Sequence, residues 1–417
     1  LWGAEAWCMG TLPLLLMCSL TIFLMHYWKG PKWVGYGLFL VSSMVFVLGI
    51  CHRFSFYPVR IEPVGKIAFL STLGNINWFC GYMSVISPIG IGMFLLKEQE
   101  DYDNIWQECL LILYVLINFV IGFCQGSSGY FAWTAAMFAV MLWISVKNTN
   151  RIKRYLLLLS MWGMAGQIVR VIHYLFPGSY NYYADTLNST IDINLTLVIM
   201  LVASLLYNRI KGGKDISLKY QKIIRYSLVG TGVLGVLLYA TISLYNTKIG
   251  IKALDGISLF VWDENWGTGR GMLFESSISL LGRMSPMQII YGVGADGYSA
   301  FAYSFPEVAD YFNKSFNNNL LTNAHCELLT SLINLGFVGT GLYVGMLVTF
   351  IIRCMKQGER CPMLYIPAVC TVCYMVNNLV SFAHVLNLPF LLIVMGIGEF
   401  YLRKVSMEEE NDLVDLK

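Results

Sequence analysis

Charge is what this sequence has least of. Asp, Glu, Lys and Arg make up 13% of its 417 residues, against about 25% in a soluble domain. That scarcity excludes an ordinary globular enzyme. With 57% hydrophobic residues, it points to many membrane spans. A net charge of +3 is too small to hold nucleic acid, so none is expected as a partner. Histidine is also scarce. The five present include no H-x-x-x-H pair and no His/Cys cluster, so no metal and no cofactor are expected. The eleven cysteines lack any disulfide or zinc spacing. Cys370 and Cys373 form a C-x-x-C, but inside an apolar run, where they read as packing. No basic leader stands before Trp2-Gly3-Ala4, and the expectation is that an upstream segment precedes Leu1.

What is present is length of apolar run. Segments able to cross about 30 Å of hydrocarbon lie at 11–28, 33–51, 76–96, 105–123, 128–146, 155–176, 190–207, 223–245, 328–352, 364–382 and 386–402. The expected fold is therefore all-α. It is a polytopic integral membrane protein with eleven transmembrane helices, twelve with an upstream span. One long, partly helical extracytoplasmic loop interrupts them. The expected organisation is a bundle of eight spans over 1–245, the loop over 246–326, three spans over 327–403 and a tail over 404–417. The aromatic content of 14% fits interfacial belts of Trp and Tyr.

Lys and Arg in short loops stay cytoplasmic. Lys29 and Lys32 follow the first run, and Lys147, Arg151, Lys153 and Arg154 follow the fifth. Six more cations separate the seventh and eighth, Arg353, Lys356 and Arg360 follow the ninth, and Arg403 and Lys404 follow the last. These alternate correctly, which places the C-terminus in the cytoplasm and the 246–326 loop outside. One outer loop runs against the rule, with Arg53, Arg60 and Lys66; phosphate contact and snorkelling are equally open readings there.

The residues fit for chemistry gather at the long loop. His325 stands at its exit, in Asn323-Ala324-His325-Cys326-Glu327. Asn323 is expected to cap the next helix, which would put His325 in its first turn. The positive helix end and a nearby arginine both disfavour imidazolium and keep a general base neutral. Arg270, among Gly267, Gly269 and Gly271, can grip a phosphate with two hydrogen bonds. Arg283 is a second cation in the loop. Gly292-Val293-Gly294-Ala295-Asp296-Gly297 is a G-x-G-x-x-G string, but it lacks the flanking strand and helix of a dinucleotide site and reads as a tight turn. Arg170 lies within the sixth run, where a charge is costly; holding a diphosphate and snorkelling to the outer interface are both open readings. The adjacent Asn377 and Asn378 read first as bonds between helices.

Four stretches together resemble the O-antigen ligase and polysaccharide polymerase family of bacterial membranes. They are Gly74-Asn75-Ile76-Asn77-Trp78-Phe79-Cys80-Gly81-Tyr82, Gly126-Ser127-Ser128-Gly129, Arg270 followed by Gly292-Val293-Gly294, and Ala324-His325 leading through Gly336-Phe337-Val338-Gly339. Ser128 stands where the family has arginine, Cys326 where it has asparagine, and Phe274 where it has tryptophan. Arg170 is the stand-in considered for the missing arginine. The resemblance implies metal-independent glycosyl transfer on the outer face of the bacterial cytoplasmic membrane. The donor would be a glycan on undecaprenyl diphosphate, and the acceptor a hydroxyl of another glycan or of a lipid-anchored sugar. The family's histidine falls on His325 and its loop arginine on Arg270. Arg170, Arg283, Gly292, Gly294 and Asn323 are the residues expected to bind substrate. Membrane lipid is the remaining partner. The alternative is a lipid-linked oligosaccharide flippase, although no half-to-half echo of the kind common in transporters is visible. A third reading is a structural subunit in which His325 would be dispensable.

Overall fold

The computed structural model describes residues 1–4, 7–59, 69–97, 105–177, 194–254, 260–316 and 318–415. Arg60, Lys66, the acidic stretch 98–104 and the loop at 178–193 lie outside these residues. In chain order the main helices are α1 (Thr11–Tyr27), α2 (Lys32–Arg53), α3 (Ile76–Leu96), α4 (Ile105–Cys124), α5 (Gly129–Ser145), α6 (Thr149–Leu175), α7 (Leu195–Arg209) and α8 (Leu218–Ile249). Then come α9 (Trp266–Gly282), α10 (Pro286–Tyr291), α11 (Tyr298–Ala302), α12 (Pro306–Ser315), α13 (Glu327–Gln357), α14 (Tyr365–Asn377) and α15 (Leu388–Asp415). Among the described residues the only strands are Phe69–Leu70 and Gly74–Asn75, which pair antiparallel before α3. The protein is all-α. A helix lies on each of the eleven apolar runs.

Among the described residues, six helices, α2, α3, α4, α6, α8 and α13, are long and apolar enough to cross a membrane. Their exposure carries the same message. Only 6% of the most apolar stretch of α8 is buried, and Val233, Leu234, Val236, Leu237 and Leu238 all face outward. A soluble surface does not carry an apolar patch of that extent, whereas lipid matches it without cost.

The chain forms two compact units. The larger gathers Leu20–Gln221, Phe350–Asn377 and Leu386–Lys417. Its core holds Phe46, Phe79, Phe119, Phe123, Trp133 and Met137, with Cys370 and Cys373 packed among them. Asn75 caps α3 by accepting from the Asn77 N–H at 2.8 Å. Ser127 donates to the Asn77 side chain at 3.1 Å, which ties the turn at 126–129 to the start of α3. Arg53 takes neither of the two expected roles, phosphate contact or snorkelling; it is 2% exposed and donates to the carbonyls of Cys124 and Gln125. Those carbonyls have no partner within α4 because the helix ends there, and the guanidinium satisfies them.

The smaller unit gathers Leu1–Ser19, Lys222–Thr349 and Asn378–Val385. The polar loop in it has its own core, built from Met272, Leu273, Leu280, Tyr298, Phe312, Leu321 and Ile333. The buried Tyr298 hydroxyl is paired with Ser277 at 2.9 Å. α13 is kinked at Gly336, whose φ of 65° and ψ of −174° are not helical. The kink releases the Ile333 and Asn334 carbonyls, which accept from Val293 and Gly294 N–H groups, both at 2.9 Å. Gly292 and Gly336 meet backbone to backbone. A Cβ on either would come within 2.5 Å of the other side's main chain.

Candidate functional site

The site lies in the smaller unit, where α13 begins. α13 starts at Glu327, so His325 is not in its first turn as the sequence predicts. It sits two residues earlier, with a left-handed φ of 50°. Asn323 explains the geometry. Its side-chain oxygen accepts from the His325 N–H at 2.9 Å, an Asx turn that competes with helix initiation. Thr330 adds a second tie, accepting from the Ala324 N–H at 3.0 Å and donating to the Cys326 carbonyl at 2.9 Å. A left-handed conformation at a residue other than glycine costs of order 1–3 kcal/mol and is kept where the surroundings enforce it, commonly at functional sites.

The His325 ring packs edge-on against Phe382, centroids 5.3 Å apart. Phe382 also touches His384 at 5.4 Å and Trp7 at 5.1 Å, and Trp7 touches His384 at 5.7 Å. Two histidines thus flank one phenyl ring. His384 is fully buried, whereas His325 keeps a partly exposed face. Burial, and then the Arg270 guanidinium, push the His325 imidazole down to about 4. Burial pushes His384 down to about 3. Both rings are therefore neutral at physiological pH. Among the described residues, no group hydrogen-bonds the His325 ring nitrogens.

Arg270 comes from the irregular first turn of α9, where Gly267 and Gly269 take φ of 61° and 88°. Its Nε donates to the Val380 carbonyl at 2.8 Å and its Nη1 to the Gly267 carbonyl. These bonds fix the guanidinium plane while its charge acts on His325. The segment bearing Val380, Phe382 and His384 follows α14, which ends at Asn377 rather than running through 382. Asn378 anchors that segment. Its side chain donates to Glu327 Oε2 at 2.7 Å, and its carbonyl accepts from the Glu327 N–H at 2.9 Å. The Tyr343 hydroxyl donates to the other Glu327 oxygen at 2.6 Å. The N-terminal segment is tied to the polar loop, where Asp296 accepts from the Ala4 N–H at 2.6 Å.

The structure brings together His325, Arg270 and Asn323, and it gives the other expected residues different surroundings. Gly292 and Gly294 are docked on the kink of α13. Arg283 closes α9, pairs with Glu307 and lies 4.9 Å over the Phe305 ring. Arg170 belongs to the larger unit and donates to Asn194 near the end of α6. His384, Phe382 and Trp7 are absent from the sequence reading. The signal for two of them was the polar break Asn377-Asn378 inside an apolar run. Nothing pointed to Trp7, which is 375 positions from Phe382 in the chain. Among the described residues, no three His, Cys, Asp or Glu side chains gather as a metal site. Compared with known proteins, the chain matches no family model, and no curated protein matches it.

The arrangement offers a neutral imidazole with open nitrogens, a guanidinium fixed beside it, and aromatic walls. It can take a proton from a hydroxyl while a cation stabilises negative charge forming close by.

Proposed function

We propose that the protein is a membrane glycosyltransferase of the O-antigen ligase type. It moves a glycan from undecaprenyl diphosphate to an acceptor hydroxyl on the outer face of the bacterial cytoplasmic membrane. The observation that carries this reading is the pairing of a neutral, solvent-reachable His325 with the immobilised Arg270. The alternation of basic loops along the eleven apolar helices supports the outer placement.

In the proposed step the acceptor hydroxyl gives its proton to the His325 imidazole as its oxygen attacks the anomeric carbon. The bond from that carbon to the diphosphate oxygen breaks, and the electron pair leaves with the diphosphate. Arg270 stabilises the charge that gathers on the leaving oxygens. The diphosphate is already a good leaving group, so no nucleotide is consumed. Phe382 and Trp7 exclude water, which otherwise competes with the acceptor. A single displacement of this kind inverts the anomeric configuration.

The test is transfer in proteoliposomes with a lipid-linked glycan donor, a panel of acceptor glycans and EDTA. Formation of a glycoside bond to one acceptor, with the anomeric centre inverted, supports the proposal. Donor crossing the bilayer without any new glycoside would instead favour a flippase and sink it.

A further inference from the structure

The larger unit holds a polar cavity of about 750 Å³ between α3, α4, α6 and the turn that follows α7. Four cations line it, Lys97, Arg151, Lys153 and Arg154, with one acid, Glu108. Cations that merely obey the topology rule sit solvated and apart. These converge on one concavity, and they are held there. Lys97 pairs with Glu108 at 2.6 Å. Arg154 reaches the same carboxylate at 3.5 Å and donates to the Phe94 carbonyl at 2.6 Å. Lys153 lies 4.5 Å over the Tyr207 ring. The turn beyond α7 is pinned to the start of α6: Asn150 accepts from the Gly213 N–H at 2.8 Å, and Lys214 and Thr149 exchange main-chain and side-chain bonds.

Arg151 is the telling residue. Its Nη1 is buried and has no hydrogen-bond partner among the described residues. Its charge is felt by Glu359, but that carboxylate makes its own ion pair with Lys147. A buried guanidinium nitrogen left unpaired is costly; the Arg151 side chain also lines the cavity, and an anion there would partner the guanidinium. Among the described residues one acid lines the cavity against four cations, an excess of positive charge. We infer that this cavity is a binding site for a phosphate group, with Arg151 and Lys153 as its principal ligands. Guanidinium suits phosphate oxygens geometrically, and the ammonium adds a point charge. The site is separate from the proposed transfer site and does not depend on that reading.

The phosphate can belong to an anionic lipid headgroup or to a soluble anion, and two arms of one experiment separate these sources. Purified full-length protein is titrated with inorganic pyrophosphate by calorimetry. In parallel it is reconstituted in nanodiscs of mixed phosphatidylglycerol and phosphatidylcholine, and retained lipid is read by native mass spectrometry. The Arg151→Gln/Lys153→Gln double variant should lose affinity about tenfold or more in whichever arm binds. Lys219→Gln, an exposed cation outside the cavity, should leave it unchanged. Pyrophosphate binding identifies a soluble ligand, and selective retention of phosphatidylglycerol identifies a lipid; each supports the site. Absence of both in the wild-type protein overturns the inference without recourse to any variant. Equal binding by wild type and a monodisperse double variant overturns it as well.

Discussion

Replacing Gly336 with alanine perturbs the contact that holds the polar loop to α13. The residue has φ of 65° and ψ of −174°, a conformation that costs a residue with a side chain about 1–3 kcal/mol. The new Cβ would also fall 2.5 Å from the Gly292 nitrogen and closer still to the Ile290 carbonyl oxygen. Main chain cannot swing aside as a side chain does, so the 290–294 segment must retreat. That movement loosens the bonds from Val293 to Ile333 and from Gly294 to Asn334, each worth about 0.5–1.5 kcal/mol net. The expected loss is about 2–6 kcal/mol in all. Gly341→Ala is the internal control. It lies on the same helix, and a Cβ there meets nothing within 4 Å, so it should be neutral or stabilising by up to about 1 kcal/mol. Unfolding by a denaturing detergent, followed by tryptophan fluorescence, measures both. A Gly336→Ala protein as stable as the Gly341→Ala protein would refute the reasoning.

The two neutral histidines, His325 and His384, set a pH dependence. Both fold with the imidazole below its ordinary value of 6.5, toward about 4 and about 3. The folded state thus favours the neutral ring, and stability should be level above pH 6.5. It should fall as pH drops below that, by about 1.4 kcal/mol per unit for each ring. Transfer should be level from about pH 5 upward and decline near pH 4, as His325 protonates. Arg270→Gln removes one of the two causes of the His325 shift, so that decline should move to higher pH; an unmoved profile counts against the coupling. Arg53→Gln should destabilise the fold by about 2–4 kcal/mol, by stranding the Cys124 and Gln125 carbonyls, with transfer kinetics of the folded fraction unchanged. Arg283→Ala should change neither stability nor transfer measurably, because its pair with Glu307 is solvent-exposed.

The helices were legible because a run of apolar residues long enough to cross lipid leaves few alternatives. Each run carries a helix, although α14 ends five residues short of the predicted boundary. Asn377 and Asn378 could be read either as helix interior or as a stop. The site was legible in part. His325, Arg270 and Asn323 stand out as polar residues beside glycine turns and an apolar boundary, and they do come together. The left-handed turn at His325 was not readable, because Asn323 could equally well have capped a helix. The glycines at 292 and 294 read as a tight turn, but the partner of that turn is the freed backbone at 333–334, which no local pattern reveals. Arg53 was legible only as an outer-loop cation, open to phosphate contact or snorkelling. Its burial depends on carbonyls 71 and 72 positions away.

In the proposed mechanism His325 takes the acceptor proton. The most direct measurement is the rate of glycan transfer in proteoliposomes by His325→Ala, beside wild type, at pH 7 with saturating donor. A loss of about 10²–10⁴-fold is expected, with donor affinity and membrane insertion retained. Transfer at the wild-type rate would contradict it.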